Sequence, residues 1–168
     1  MTQTLAYEDA VDLLDADHKA VKKLFIDFNA LCEDNAPAEH KQHIARRICQ
    51  ELTVHAQIEE EIFYPQVREA IGDNALMDEA LAEHTQAKET IARIQAMDAS
   101  DEDYDDTVKA LGKLIDHHVL EEREQIFLKA RNAALDLRGM APALFARKKQ
   151  LLSAAKPPAS RGKKRAAA

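Results

Sequence analysis

Leu52-Thr-Val-His55-Ala-Gln-Ile-Glu59-Glu-Glu-Ile-Phe63-Tyr-Pro65 decides the fold, because it recurs in outline as Ile115-Asp-His-His118-Val-Leu-Glu-Glu122-Arg-Glu-Gln-Ile126-Phe127. In each, a histidine precedes a glutamate by four residues. On a helix that spacing sets both side chains on one face, about 6 Å apart along the axis, where an imidazole and a carboxylate can share a metal ion. A lone histidine upstream, His18 in one half and His84 in the other, completes each copy.

The copies extend well beyond these residues. With a shift of 66, Asp17-His18, Lys22, Phe25, Phe28 and Leu31 fall on Glu83-His84, Lys88, Ile91, Ile94 and Met97. With a shift of 63, Ile48, Leu52, His55, Glu59, Phe63, Tyr64 and Arg68 fall on Leu111, Ile115, His118, Glu122, Ile126, Phe127 and Arg131. Two copies with so long a period are too few for a solenoid and fit two αα-hairpins about a pseudo-twofold axis.

Apolar residues at helical spacing predict the elements. A first helix carries His18, Val21, Phe25, Phe28 and Leu31 and ends near Cys32 to Asn35; residues 8 to 14 are helical as well, with an open boundary near Asp15 to Asp17. A second begins near Ala38, with Ile44, Ile48, Leu52, His55, Glu59 and Ile62 or Phe63 on one stripe. Pro65 should kink or end it, and Gly72-Asp73-Asn74 should stop any continuation. A third runs from Asn74 to Met97 through Leu81, His84, Ala87, Ile91 and Ile94. After an acidic connection, a fourth runs from Asp103 to Ala133, with Leu111, Ile115, His118, Glu122 and Ile126 inward. A short helix from Pro142 to Leu152 packs through Leu144, Phe145, Leu151 and Leu152. The expected fold is all-α, an up-down-up-down four-helix bundle in one domain over residues 1–153. Residues 154–168 are expected to be a disordered basic tail.

Composition agrees: 46% hydrophobic and 32% charged residues over 168 positions suit one water-soluble domain, and 4 Gly and 5 Pro disfavour sheet. Residues 147 to 168 hold eight Lys or Arg and no acid, so the chain's net charge of −7 is −15 before them. An acidic body disfavours nucleic acid as the main partner, leaving tail contacts as the exception. No apolar run reaches membrane-spanning length and none resembles a signal peptide, which points to the cytoplasm. Cys32 and Cys49 fit no zinc or C-x-x-C spacing and read as small core residues.

The metal reading rests on phase. His18, His55, His84 and His118 each continue their own apolar stripe, and Glu59 and Glu122 lie at matching depth. Buried carboxylates are expensive unless paired or coordinated, so two of them beside four imidazoles call for cations. His117-x-x-x-Glu121 competes with His118-x-x-x-Glu122, but the repeat and the stripe favour the second pair, with His117 about 100° away. His40 and His43 have no counterpart in the repeat and read as surface. Mixed nitrogen and oxygen donors suit borderline transition metals over Ca²⁺ or Mg²⁺, and two irons bridged by Glu59 and Glu122 use the whole set.

As an ordered set, Asp17-His18, His55-x-x-x-Glu59-Glu60-x-x-Phe63-Tyr64-Pro65, Glu83-His84 and His117-His118-x-x-Glu121-Glu122 resemble the hemerythrin-like family, bacterial proteins with the HHE cation-binding domain. The resemblance covers residues 8 to 131. It implies a bundle around a non-haem di-iron centre, oxo- or hydroxo-bridged when oxidised, with Glu59 and Glu122 bridging and His18, His55, His84 and His118 as terminal ligands. Oxygen carriers of the family have a further histidine four residues after the ligand of the third helix, where this chain has Lys88. Water, Glu121 or Lys88 is left to fill that position. Expectation therefore shifts from carrying oxygen to reacting with O₂, peroxide or nitric oxide, with an unknown electron donor. The alternative is an iron, redox or oxygen sensor, or an iron-storage module, acting through a partner.

Overall fold

A computed structural model describes residues 7–155, and every regular element among them is helical. Helix α1 spans Ala10–Glu33 and α2 Ala38–Ile58; α2 passes through a π-helical turn, Glu59–Phe63, into α3, Tyr64–Ile71. Helix α4 spans Asn74–Ala96. Helix α5, Tyr104–Glu121, passes through a second π turn, Glu122–Phe127, into α6, Leu128–Asn132, and α7 spans Leu137–Ala155. Packing joins α1 to α2, α4 to α5, α1 to α5 and α2 to α4, while α7 lies on α1, α2 and the first π turn.

Local chemistry sets the ends. Asp9 caps α1 by accepting the Asp12 N–H at 2.9 Å, and α1 then runs unbroken through Asp15 to Asp17. Asp73 caps α4 in the same way through the Leu76 N–H. Gly72, at φ 66°, ends α3 in the left-handed conformation that glycine adopts without strain.

Two elements depart from the sequence expectation. The second helix does not end at Pro65. Instead the Tyr64 N–H reaches back five residues to the Glu59 carbonyl, and α3 follows. Proline alone does not cause the widened turn, because the same turn forms at Glu122–Phe127, where the repeat has Leu128 in place of Pro65. The last helix starts at Leu137, not Pro142, and includes Ala154 and Ala155, which the sequence reading gave to the tail. Pro142 is therefore inside the helix, one turn past its start, where it forgoes a single backbone bond. The rest of the predicted tail, 156–168, lies outside the described residues.

The core falls into two apolar clusters. One gathers Leu13, Leu14, Ile58, Phe63, Val67, Met77, Phe127 and Leu144; the other gathers Val21, Phe28, Ile48, Leu52, Ile91, Tyr104 and Leu111. Along α1, α2, α4 and α5 the predicted histidine sits between a residue of one cluster and a residue of the other. His18 lies between Leu14 and Val21, His55 between Leu52 and Ile58, His84 between Ala80 and Ile91, and His118 between Leu111 and Ile126. A polar layer is thus clamped between two dry ones. Cys49 is buried in the second cluster, where burial pushes its thiol up to about 11, and Cys32 is half-buried; both are free.

Candidate metal centre

The layer holds all six residues singled out from the sequence. Glu59 and Glu122 are 0% exposed, and His55, His84 and His118 are buried with them. His18 has a side chain only 7% exposed. Ligand atoms of His18, His55, Glu59 and Glu122 lie within 4.8 Å of one another, and so do those of Glu59, His84, His118 and Glu122. The two groups share both carboxylates.

Nε2 is the nitrogen each imidazole turns inward. It lies 3.0 Å from Glu122 in His18, 3.2 Å from Glu59 in His55 and in His84, and 3.5 Å from Glu122 in His118. Few of these contacts have hydrogen-bond geometry. Both oxygens of Glu59, one of Glu122 and the Nε2 atoms of His18 and His55 are enclosed with no hydrogen-bond partner among the described residues. Natural interiors seldom leave so many polar atoms unsatisfied in one place, and converging lone pairs of imidazole and carboxylate are what a cation satisfies. The donor set therefore fits a metal pair.

Nδ1 of each imidazole faces outward to a second carboxylate. His55 meets Asp17 at 2.9 Å, His84 meets Glu60 at 2.7 Å, His118 meets Glu83 at 2.7 Å, and His18 lies 3.6 Å from Asp15. For His55, His84 and His118 such partners fix the tautomer that leaves Nε2 free to coordinate, whereas His18 Nδ1 makes no hydrogen bond among the described residues. Behind three of them stands a cation: Arg123 for Asp15, Lys148 of α7 for Asp17 and Lys88 for Glu60. Sequence reasoning missed this outer ring. Its legible trace was the acid before each lone histidine, but Asp17 and Glu83 serve the histidine of the paired helix, not their own neighbour.

Electrostatics follow from this packing. Burial alone would lower the His55 pKa, yet Glu59 and Asp17 hold it well above the usual imidazole value. Burial opposes here too, but the Glu122 carboxylate 3.5 Å away, with Glu59 and Glu83, raises His118 to about 9. Against burial, His118 and His18 keep Glu122 well below the ordinary carboxylate range.

Tyr64 is a second residue not anticipated. Its hydroxyl donates to Glu122 and stands 3.3 Å from His84 Nε2 and 3.4 Å from His118 Nε2. Burial, then the nearby Glu122 charge, raise its pKa well above the phenol value. Its counterpart in the repeat, Phe127, stacks on His18 with ring centroids 5.7 Å apart. The two halves of the centre thus differ, with a phenol on one and a phenyl on the other.

Neither protein candidate for the missing ligand enters the cage. Lys88 is half-exposed and binds Glu60 at 2.8 Å, and Glu121 faces His117. His117 itself is 70% exposed, as its phase relative to His118 requires. His40 and His43 are exposed. Above the imidazoles lies a cavity of about 30 Å³, walled by Leu52, Ala87, Ile91, Ile115 and Val119. That is room for one or two water-sized molecules.

Comparison with known proteins agrees with this geometry. Residues 9–130 match the model of the hemerythrin HHE cation-binding domain. A solved hemerythrin HHE cation-binding domain-containing protein from Mycobacterium kansasii superposes with a TM-score of 0.74 at 20% identity, over 87% of this chain and 88% of that one. A protein of Nostoc sp. described as a DNA nickase is 31% identical over 121 residues, 72% of this chain; the chain spans only 33% of that relative's length. With two buried imidazole and carboxylate clusters at its centre, the chain belongs to the hemerythrin HHE cation-binding domain family.

Proposed function

We propose that this chain, a hemerythrin-like up-and-down bundle in one domain followed by a basic tail, is a cytoplasmic non-haem di-iron protein that binds or reacts with a small oxidant such as O₂, peroxide or nitric oxide. The observation that carries the reading is the sharing of Glu59 and Glu122 by two four-residue ligand groups. Six donors for two ions leave coordination positions open, and nitrogen with oxygen donors favours iron over closed zinc sites rich in thiolate. When bound, the iron pair would supply one-electron chemistry.

The chain's own residues do the rest. Glu59 and Glu122 bring two carboxylates into a dry layer, and Asp17, Glu60 and Glu83 orient His55, His84 and His118 through Nδ1 so that Nε2 turns to the centre. Leu52, Ile91, Ile115 and Val119, together with Thr53 and Lys88, wall the small cavity beside the imidazoles, which has room for a diatomic molecule or peroxide. Tyr64 holds a proton on its hydroxyl directed at Glu122, beside the half of the site where Lys88 replaces a histidine.

A sensor or iron-storage reading is favoured by one observation. Lys148 of α7 reaches Asp17, and through it His55, so the last helix is tied to the centre and could report its state to a partner. The nickase activity named for the longer relative stays with that protein. Anaerobic reconstitution of the full chain should yield about two irons per chain and, after oxidation, near-ultraviolet charge-transfer bands; fewer than about half an iron rejects the proposal.

A further inference from the structure

Beside the buried cage, α4 and α5 bring a second ligand group to the surface. His117 Nε2 lies 3.4 Å from Glu83 and 3.2 Å from Glu121, and one ligand atom from each of the three falls within 4.8 Å of the others. The imidazole is 70% exposed while the carboxylates are 16% and 23% exposed. The cluster is a partly sheltered cup with an open mouth.

Three further observations separate it from an ordinary acidic surface. Asp15, Asp17 and Glu60, the other carboxylates behind the imidazoles, each meet a Lys or Arg side chain. Among the described residues Glu83 and Glu121 meet no Lys or Arg side chain; they face each other and His117, and Glu83 also meets His118. Glu121 Oε2 is enclosed, and its 3.2 Å approach to His117 Nε2 lacks hydrogen-bond geometry. Finally, a cavity of about 10 Å³ is lined by Glu79, Glu83 and Glu121 on one side and by His118 and Glu122 of the cage on the other. Two residues of the surface group and two of the cage thus line one small void.

We propose that Glu83, His117 and Glu121 form a third, solvent-facing site for a divalent transition-metal ion, from which ions pass inward to the cage. Two carboxylates and an imidazole suit borderline cations such as Fe²⁺, Mn²⁺ or Zn²⁺. Three protein ligands leave several positions to water, so the ion binds more weakly than in the cage and exchanges. Glu83 joins the two sites, with one oxygen in the cup and the other on His118 Nδ1. The inward transfer rests on the proposed buried centre; the surface ion does not.

The test uses the metal-free full chain, titrated with Mn²⁺ and counted by the loss of the free-ion EPR signal, in wild type, His117→Ala, Glu121→Gln and His55→Ala. His117→Ala and Glu121→Gln should each bind about one ion fewer than wild type, and fill the cage from limiting Fe²⁺ about tenfold more slowly. His55→Ala should keep the surface ion, so failure of the buried centre reads separately. Far-ultraviolet circular dichroism checks that each variant folds. Equal ion counts, or equal filling rates, in wild type and the folded His117 and Glu121 variants overturn the proposal.

Discussion

Each imidazole in the centre does two jobs with two nitrogens, and the outer one decides how well the inner one serves. Asp17 illustrates this: it accepts the His55 Nδ1 proton at 2.9 Å and is itself held by Lys148. Despite the opposing effect of burial, those contacts keep its pKa below the usual aspartate value, so it stays a charged acceptor. Asp17→Asn removes the charge that sets the tautomer while leaving the volume unchanged. Metal affinity should fall about 10- to 100-fold in competition with a chelator, with helix content intact. An unchanged affinity would mean that the cage orients His55 without help. Neighbouring chemistry also explains Lys88: its ammonium serves Glu60 on the outside of the bundle, leaving the cage to imidazole, carboxylate and the Tyr64 phenol.

At the scale of the element, the two π turns carry the site. Beyond Glu59 the buried positions are Phe63, Tyr64 and Val67, and beyond Glu122 they are Ile126, Phe127 and Ala130. That is a spacing of four, five and eight, where a regular helix would bury three, four and seven. One extra residue in the turn restores the register by absorbing about 100° of rotation. The pattern is legible in the sequence once one extra residue is allowed in the 3.6-residue period. Deleting Ile62 removes that extra residue, so the segment should return to a regular helix with Glu59 and Tyr64 still on one face, four residues apart. The expected result is retained iron with far-ultraviolet circular dichroism close to wild type. Loss of bound iron from the folded variant would show that the widened turn itself shapes the site.

For the whole molecule, the buried layer is where stability and metal binding compete for the same protons. Without metal, His118 and Glu122 form a buried ion pair, and the raised His118 value of about 9 makes that pair pH-dependent. A histidine whose pKa is higher in the folded than in the unfolded chain adds stability that is complete below the unfolded value of 6.5 and is lost as pH rises through about 9. The metal-free protein should therefore melt at a lower temperature near pH 9.5 than near pH 6, as read by calorimetry with chelator present. The metal-loaded protein should show the weaker dependence, because coordination already requires neutral imidazole. A metal-free melting temperature that rises across this range would contradict the pairing.

Helical period, an internal repeat and the phase of four histidines and two glutamates were local properties, so the sequence alone determined the all-helical class, the family resemblance and the six side chains that converge. Choosing His118 over His117 needed the repeat and the apolar stripe, from which His117 lies about 100° away. Other features depend on which helices lie side by side, and no single helix carries that information. The cross-helix pairing of Asp17 with His55 and Glu83 with His118, the reach of Lys148 from α7, and the entry of Tyr64 between two imidazoles were decided by tertiary packing. So was the widening of two helices at their glutamates, where burying Phe63 and Phe127 in the core outweighs the regular hydrogen-bond ladder.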